Sequence, residues 1–197
     1  MARHLRPQRP ARKCSIFLAV LLACASSTAW CFQDKWDGHF KTATAQYLPP
    51  GTDWRLLKSQ CYQESRLNPL ARSPVGAYGL CQFMPATARE VGPRIGAHPD
   101  AFWLPEVSIQ GAGYYMGKLT KSWKSERPPM DRHKLALASY NAGIGHILKA
   151  QNLCDNARLY NEIVPPCLPL VTGFHSKETI DYTRFIVDRW YPMMVVQ

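Results

Sequence analysis

The segment from residue 54 to residue 85 constrains the fold more than any other part of the chain. It begins with an apolar stripe at helical spacing, and the same spacing continues onto a carboxylate, Glu64. The stripe consists of Trp54, Leu57 and Cys61. Helix-breaking residues follow at Pro69, Pro74, Gly76 and Gly79. The pattern predicts a helix that ends shortly after Glu64, a loop, a short extended stretch over residues 77–83, and a new helix opened by Pro85.

The spacing turns Glu64 toward the interior, which is an unusual place for a carboxyl group. Carboxyl groups are rarely buried unless they are paired or used, although a Glu at a helix end is more often solvated or capping, and that alternative stays open here. Because burial disfavours the charged form, we expect the pKa of Glu64 to rise by on the order of one to two units, so that activity declines through about pH 6 to 7. Its predicted apolar neighbours are Leu57, Cys61, Leu80 and Met84.

The rest of the chain reads as helices joined by loops. Further helices are predicted over about residues 36–47, 105–123, 131–142 and 176–190, with Thr52 or Asp53 capping the Glu64 helix and Ser176 capping the last one. The Pro-rich stretch at 164–166 is predicted to be an irregular loop. Alternation in the extended stretch would place Leu80, Gln82 and Met84 on one side, with Cys81 and Phe83 on the other. We therefore expect a mostly α (α+β) fold with one small β element.

Three sequence blocks resemble those of one enzyme family. The first is Glu64-Ser65, followed by Ser73-Pro74-Val75-Gly76-Ala77-Tyr78-Gly79-Leu80-Cys81-Gln82 and by Met84-Pro85-Ala86-Thr87-Ala88. The second is Ala138-Ser139-Tyr140-Asn141-Ala142-Gly143, and the third is Glu178-Thr179-Ile180-Asp181-Tyr182. In this order they resemble the soluble-lytic-transglycosylase domain, which is related in fold to goose-type lysozyme. The resemblance covers residues 53–190 and departs from the family pattern at Cys81, where Met is usual, and at Ser139, where Ala is usual.

The resemblance implies a compact lysozyme-like domain and a role for each matched residue. It implies that Glu64 acts as general acid and then general base, cleaving the β-1,4 bond of peptidoglycan with formation of a 1,6-anhydromuramyl product. It places Ser73, Gln82 and Met84 along the cleft. It implies that Tyr140 and Asn141 hold or polarise the N-acetyl group of the sugar. It makes Tyr182 a hydrogen-bonding neighbour of Glu64, whereas we expect Gly79 to serve the backbone conformation of the loop. Neither a cofactor nor a metal is expected.

The N-terminal residues are typical of an export signal. Five basic residues precede an apolar run over residues 16–25, and Ser27-Thr28-Ala29 offers a small-residue cleavage site. We therefore divide the chain into a signal peptide (1–29), an N-terminal helical extension (30–52) and a catalytic domain (53–197). A periplasmic location follows, with lipid anchoring through Cys24 as the alternative.

The charge of the chain excludes some classes of partner. Without residues 1–29, 19 basic residues stand against 14 acidic ones, which lowers the formal charge from +10 to +5. Such a surface is compatible with an anionic polymer such as the bacterial wall, or with solubility alone. Because no dense Lys/Arg run remains, nucleic acid is not expected as a partner. We expect a monomer that acts on peptidoglycan glycan strands.

Five cysteines follow the predicted signal. Cys154 and Cys167 flank the Pro-rich stretch, where a disulfide would stabilise the fold by about 3 kcal/mol through the entropy of the unfolded chain. Cys61 and Cys81 form the second candidate pair, which leaves Cys31 unpaired. Free buried thiols are the alternative at Cys61 and Cys81. Zinc is not expected, because the Cys and His residues lack the spacing of a zinc site.

Two other functions stay open at this point. A hydrolytic goose-type lysozyme would share the fold but would hold a water molecule, most simply with a second carboxylate. A non-catalytic wall-binding or scaffold protein of a secretion or conjugation apparatus is the other alternative. An enzyme that opens the wall locally for such an apparatus, or for a phage, is the biological setting we consider.

Overall fold

The computed structural model describes residues 32–196, and the predicted signal segment with Cys24 and Cys31 lies outside these residues. Within them the chain is mostly helical, and the β structure consists of two isolated antiparallel bridges, Arg72 with Tyr78 and Tyr78 with Phe83. The predicted mostly α fold with a small β element is confirmed. The helices are α1 (Asp37–Tyr47), α2 (Trp54–Ser65), α3 (Pro85–Val91), α4 (Pro105–Ser122), α5 (Pro129–Ala142), α6 (Ile144–Leu153), α7 (Tyr160–Thr172), α8 (Ser176–Arg184) and α9 (Tyr191–Val195).

Helix α4 lies at the centre of the hydrophobic core. Its buried residues Ile109, Ala112, Met116 and Leu119 recur at helical spacing, so one face of the helix is apolar along its whole length. Helix α1 packs against α4 and contributes Phe40 and Ala43 to the same core. The close approach depends on small residues, because a Cβ at Gly117 would collide with the carbonyl oxygen of Tyr47.

The local signals at both ends of α2 act as predicted. Asp53, one of the two candidate caps, accepts a hydrogen bond from the backbone N–H of Arg55 at 2.9 Å, which satisfies a donor of the first turn. The helix ends at Ser65, and Arg66 follows in the left-handed conformation with φ 58°. Helix α3 begins at Pro85, so the chain makes the predicted loop between these two helices.

The predicted extended stretch over residues 77–83 is wrong. Its residues form turns between the two β bridges, and positive φ angles at Gly79 (79°) and Gln82 (52°) curl the backbone. The alternation of sides is lost with it, because the consecutive residues Leu80 and Cys81 are both fully buried, while Met84 is exposed. A side-chain period of two requires extended backbone, which these φ angles interrupt.

The predicted loop around Pro165 and Pro166 is also wrong, because these residues lie inside helix α7. Both prolines are exposed, so the carbonyl groups that they leave without a helical partner can bond to water. The opposite face of α7 is buried through Ile163, Val164, Cys167 and Leu168. Asp131 on α5 accepts a hydrogen bond from the Tyr160 backbone N–H at 2.8 Å at the start of the helix. Tertiary packing therefore overrides the low helix propensity of proline.

The C-terminal region is helical beyond the predicted end. A π-helical segment at Phe185–Trp190 joins α8 to α9, and Pro192 lies in the first turn of α9, where its missing N–H costs nothing. The predicted cap at Ser176 is not formed, since its hydroxyl donates to the Gly173 carbonyl at 2.7 Å. Across residues 32–196, none of the helices combines the length and the apolar character that crossing a membrane would need.

Two disulfides join the pairs of cysteines considered above. Cys61 on α2 is bonded to Cys81 in the loop with a Cα–Cα distance of 4.4 Å, and Cys154 after α6 is bonded to Cys167 on α7 at 6.1 Å. The first bond attaches the loop of residues 71–83 to the helix that carries Glu64. The second attaches α7 to the end of α6.

Peptide mapping of the unreduced, exported protein is expected to recover Cys61 linked to Cys81 and Cys154 linked to Cys167. Reduction is expected to lower the free energy of unfolding by about 3 kcal/mol for each bond, because each one restricts the unfolded chain. Denaturation with and without reductant measures this change. Recovery of these four cysteines as free thiols from exported material would contradict the prediction.

Candidate active site

Glu64 lines a surface cavity at the C-terminal end of α2. The cavity has a volume of about 400 Å³. Its wall consists of Gln63, Glu64, Asn141, Glu178, Asp181, Tyr182 and Phe185. The side chains therefore come from three places in the sequence, which are the end of α2, the end of α5, and α8 with the segment that follows it.

The Glu64 carboxyl group is bound by one side chain from α8. The Tyr182 hydroxyl donates to Glu64 Oε1 at 2.6 Å, and Glu64 is half-buried while Tyr182 is buried. The pKa of Glu64 is raised to about 8. Burial is the largest cause, the hydrogen bond from Tyr182 acts in the opposite direction, and the negative charge of Glu178 adds to the rise. The predicted upward shift of the pKa is therefore present and larger than expected, so Glu64 is protonated at neutral pH.

A second tyrosine lies beside this pair. The Tyr140 hydroxyl donates to the carbonyl oxygen of Cys81 at 2.9 Å, so it ties α5 to the loop that the Cys61–Cys81 bond holds. Burial raises the pKa of both Tyr140 and Tyr182 well above the usual value, and the charge of Glu64 adds to each shift. Both hydroxyl groups therefore stay protonated and act as donors near Glu64.

The loop over residues 71–83 is held in shape by its own polar side chains. Ser73 accepts a hydrogen bond from the Ala77 backbone N–H at 2.9 Å, and Gln82 donates to the carbonyl oxygens of Ala71 and Gly79 at 3.2 and 2.9 Å. Ser65, next to Glu64, donates to the Leu80 carbonyl at 2.6 Å. These contacts make Ser73 and Gln82 structural parts of the loop.

Gly79 is the position in this loop where glycine is required. Its φ is +79°, and a Cβ would collide with the carbonyl oxygen of Phe102. The Ser108 hydroxyl accepts a hydrogen bond from the Cys81 backbone N–H at 3.1 Å, which fixes the next part of the loop against α4. The predicted backbone role of Gly79 agrees with this geometry.

Asn141 has a fixed orientation in the cavity wall. Its Oδ1 accepts a hydrogen bond from Thr179 at 2.6 Å, and its Nδ2 donates to Glu178 at 3.5 Å. Asn141 and Glu178 also line an adjoining cavity of about 330 Å³, which includes His146 and His175. The two cavities share these residues and therefore adjoin each other.

The wall of the Glu64 cavity holds two further carboxylates. Asp181 is bound to Lys177 and to Arg184, and the hydrogen bond from Lys177 lowers its pKa, so Asp181 is ionised. Glu178 is exposed and contacts Asn141. Glu64 is half-buried and has a raised pKa, whereas Glu178 is exposed and Asp181 is ion-paired.

The structure brings some of the predicted site residues together and leaves others apart. Glu64, Asn141 and Tyr182 line one cavity. Tyr140 lies next to it, close enough for the charge of Glu64 to raise the Tyr140 pKa. Ser73, Gly79, Gln82 and Met84 are not among the residues that line this cavity, and Met84 lies 42% exposed at the start of α3.

Sequence reasoning missed four residues as parts of the wall, which are Gln63, Glu178, Asp181 and Phe185. A usable signal was present on α8 and its continuation. Residues 178, 181, 182 and 185 follow the spacing of one helical face, so the face that presents Tyr182 presents the others as well.

No group of three or more metal-binding side chains is found anywhere between residues 32 and 196.

Known structures share this fold. The 70-kDa soluble lytic transglycosylase of Escherichia coli superposes with a TM-score of 0.56 at 22% identity, covering 82% of this chain and 26% of that one. A complex of the 70-kDa soluble lytic transglycosylase with bulgecin A gives a TM-score of 0.62 at 23% identity, covering 84% of this chain and 25% of that one. The fold is therefore the lysozyme-like fold of lytic transglycosylases.

Sequence comparison identifies the family. The profile of the transglycosylase SLT domain matches residues 41–162. Membrane-bound lytic murein transglycosylase F of Shewanella pealeana is 37% identical over 147 residues, which cover 72% of this chain and 29% of that protein. The Yersinia enterocolitica protein of the same name is 40% identical over 104 residues, covering 53% of this chain and 20% of that protein. The chain belongs to the transglycosylase SLT domain family, and it spans less than a third of the length of these relatives.

Proposed function

We propose that this protein is a peptidoglycan lytic transglycosylase that cleaves the β-1,4 bond between N-acetylmuramic acid and N-acetylglucosamine. One observation carries the proposal, which is the half-buried Glu64 with a pKa of about 8 and a hydrogen bond from Tyr182 at the wall of a surface cavity. A carboxyl group that keeps its proton at neutral pH and faces a cavity has the properties of a general acid. Family membership supports the same reaction.

In the first step Glu64 donates its proton to the glycosidic oxygen. Because Oε1 accepts the Tyr182 hydrogen bond, the free oxygen Oε2 is the one that carries the proton. The bond between C1 of the muramyl sugar and this oxygen breaks, and the N-acetylglucosamine product leaves with the proton. Tyr182 then stabilises the carboxylate that forms, since a hydrogen bond to the charged form favours it.

In the second step the carboxylate takes a proton from the C6 hydroxyl of the muramyl sugar. The C6 oxygen bonds to C1 and forms the 1,6-anhydro ring, so no water is consumed and Glu64 regains its proton. A neighbouring N-acetyl oxygen can assist departure of the leaving group, which removes the need for a second catalytic carboxylate. We assign Asn141 and Tyr140 to this group, because Asn141 lines the cavity and Tyr140 lies beside it.

The remaining predicted site residues lie outside the Glu64 cavity in this proposal. Ser73, Gln82 and Gly79 hold the loop that carries Cys81, and the Cys81 carbonyl in turn holds Tyr140. Met84 is exposed at the end of the loop and is assigned a contact with the glycan strand outside the Glu64 cavity. Because the substrate lies in the cell envelope, the proposal includes export to the periplasm. A partner in an envelope-spanning apparatus stays a prediction.

A hydrolytic lysozyme is the second candidate, and Glu178 is the observation that favours it. This carboxylate lines the same cavity as Glu64 and acts on it electrostatically, so it could orient an attacking water molecule. Asp181 is less suited to this role because Lys177 and Arg184 already bind it.

Mass spectrometry of the products released from purified sacculi distinguishes these reactions. We expect 1,6-anhydromuramyl ends, whose mass is lower by one water molecule than that of a reducing end. Chemical reduction with borohydride is expected to leave these ends unchanged. Products that carry reducing ends would support the hydrolase, and the absence of cleavage products would contradict both enzymes.

A further inference from the structure

The guanidinium groups of three exposed arginines lie over aromatic rings beside the Glu64 cavity. The Arg66 guanidinium lies over the rings of Tyr62 and Trp190 at 4.8 and 4.5 Å, and Arg189 lies over Trp190 at 4.4 Å. Arg184 lies over Phe185 at 5.2 Å. A cation over the face of an aromatic ring is attracted by that ring, so these contacts limit the positions that each guanidinium takes. We call Arg66, Arg184, Arg189 and these rings the arginine shelf.

The arginine shelf is continuous with the cavity wall. Trp190 donates a hydrogen bond from Nε1 to Gln63 Oε1 at 2.7 Å, and Gln63 lines the cavity next to Glu64. Phe185 lines the cavity and also lies under Arg184. A ligand that extends from the bond at Glu64 toward this side therefore meets the shelf at once.

Charge divides the two sides of the cavity. Glu178 gives one side of the cavity a carboxylate, whereas Lys177 and Arg184 neutralise Asp181, and Arg66 and Arg189 make the shelf basic. Within residues 32–196, Arg184 is ion-paired with Asp181, but no ion pair involves Arg66 or Arg189. A guanidinium that lies over a ring keeps the N–H groups at its own edge available, and they can bind a carboxylate in a bidentate way.

We propose that Arg66 and Arg189 bind the carboxylates of the stem peptide carried by the muramyl sugar. The inference rests on the proposed function, because it takes peptidoglycan as the substrate. The N-acetylated glycan backbone carries no negative charge once its lactyl groups are joined to peptides, so the anionic groups of the strand lie on the stems. The acidic side of the cavity repels such groups and directs them to the shelf. The protein then prefers strands that carry stems.

Two glycan substrates and two double variants test this inference. The substrates are sacculi with their stem peptides and strands from which an amidase has removed the stems and whose freed lactyl carboxylates have then been converted to methylamides. The test variant combines Arg66→Gln with Arg189→Gln. The control combines Arg94→Gln with Arg158→Gln, two exposed arginines elsewhere on the surface, and lowers the net charge by the same amount. Cleavage is measured as kcat/KM, and binding is measured by cosedimentation in a Glu64→Gln background.

We expect the test variant to lose about tenfold in kcat/KM and in binding on strands with stems, as for the loss of two charge-assisted contacts that are partly open to solvent. On stripped strands its loss is expected to stay below about threefold, and the control to stay below about threefold on both substrates. Equal losses on both substrates, or no loss on either, would overturn the inference.

The binding measurement separates this inference from the proposed function. If the wild-type protein cleaves neither substrate, the proposed function fails, and the binding difference between the two substrates still decides whether the shelf recognises stems. If cleavage occurs and the variants bind both substrates like the wild type, the reaction stands and the shelf assignment fails. Circular dichroism of each variant confirms that it is folded.

Discussion

Replacing Glu64 with Gln is expected to lower the rate of sacculus digestion by at least about 10²-fold to 10⁴-fold, the range typical of general acid–base catalysis. Gln keeps the size of the side chain and an oxygen that accepts the Tyr182 hydrogen bond, but it has no proton to transfer. Substrate binding is expected to survive, so the loss falls on kcat. Release of soluble muropeptides from purified sacculi measures the change.

A matched variant separates catalysis from charge. Glu106 is exposed on α4 and does not line the Glu64 cavity, so Glu106→Gln removes one carboxylate without touching the site. We expect it to digest sacculi within about twofold of the wild type, as for surface substitutions in general. Digestion by Glu64→Gln within about threefold of the wild-type rate would show that Glu64 is not the acid.

Activity is expected to fall as the pH rises above about 8, by about tenfold per pH unit on kcat/KM, because the folded protein loses the acidic proton of Glu64 there. The first expectation from sequence placed this decline at about pH 6 to 7, and the burial of the site moves it upward. A pH profile of kcat/KM measures the limb, and carbon NMR of the Glu64 carboxyl gives its pKa directly. A pKa at or below about 4.3, the unperturbed value, would contradict the burial of this group.

Tyr182→Phe tests the cause of the shift. Since the hydrogen bond from Tyr182 lowers the pKa of Glu64, its removal is expected to raise that pKa further and to move the alkaline limb to higher pH. A limb that moves to lower pH would show that Tyr182 does not stabilise the carboxylate.

The same pKa governs stability. In the unfolded chain the Glu64 carboxyl ionises near its ordinary pKa of 4.5, and in the folded protein it ionises near 8, so the folded state holds an extra proton between these pH values. The contribution of Glu64 protonation to the free energy of unfolding is therefore fully retained below about pH 4.5 and decreases as the pH rises toward 8. Glu64→Gln removes this penalty, so the variant is expected to be more stable than the wild type at pH 8, by on the order of 1 to 3 kcal/mol.

Local signals in the sequence were sufficient where a helix begins or ends on its own residues. Asp53 and Pro85 set two helix starts, and the helix of the apolar stripe ends at Ser65 as predicted, because these effects depend on neighbours in the sequence. The upward shift of the Glu64 pKa could also be predicted, because the stripe itself turns the carboxyl toward the interior.

Features that depend on distant residues could not be derived in this way. Helix α7 forms across three prolines because the core buries its opposite face, and no local rule favours a helix there. The hydrogen bond from Tyr182 to Glu64 joins residues that are 118 positions apart in the sequence, and only the motif resemblance predicted it. The arginine shelf depends on Trp190 packing beside the end of α2, which no sequence pattern indicated.

The distance in sequence between Glu64 and Tyr182 also affects when the protein can act. The cavity wall takes side chains from α2, α5 and α8, so it is complete only after the C-terminal helices have packed. A chain in which α8 has not yet docked leaves Glu64 in water, where its carboxyl ionises in the ordinary range and holds no proton at neutral pH. Because contacts between distant segments must overcome the entropy of loop closure, we expect the protonated Glu64, and with it the proposed activity, only in molecules whose C-terminal helices have packed.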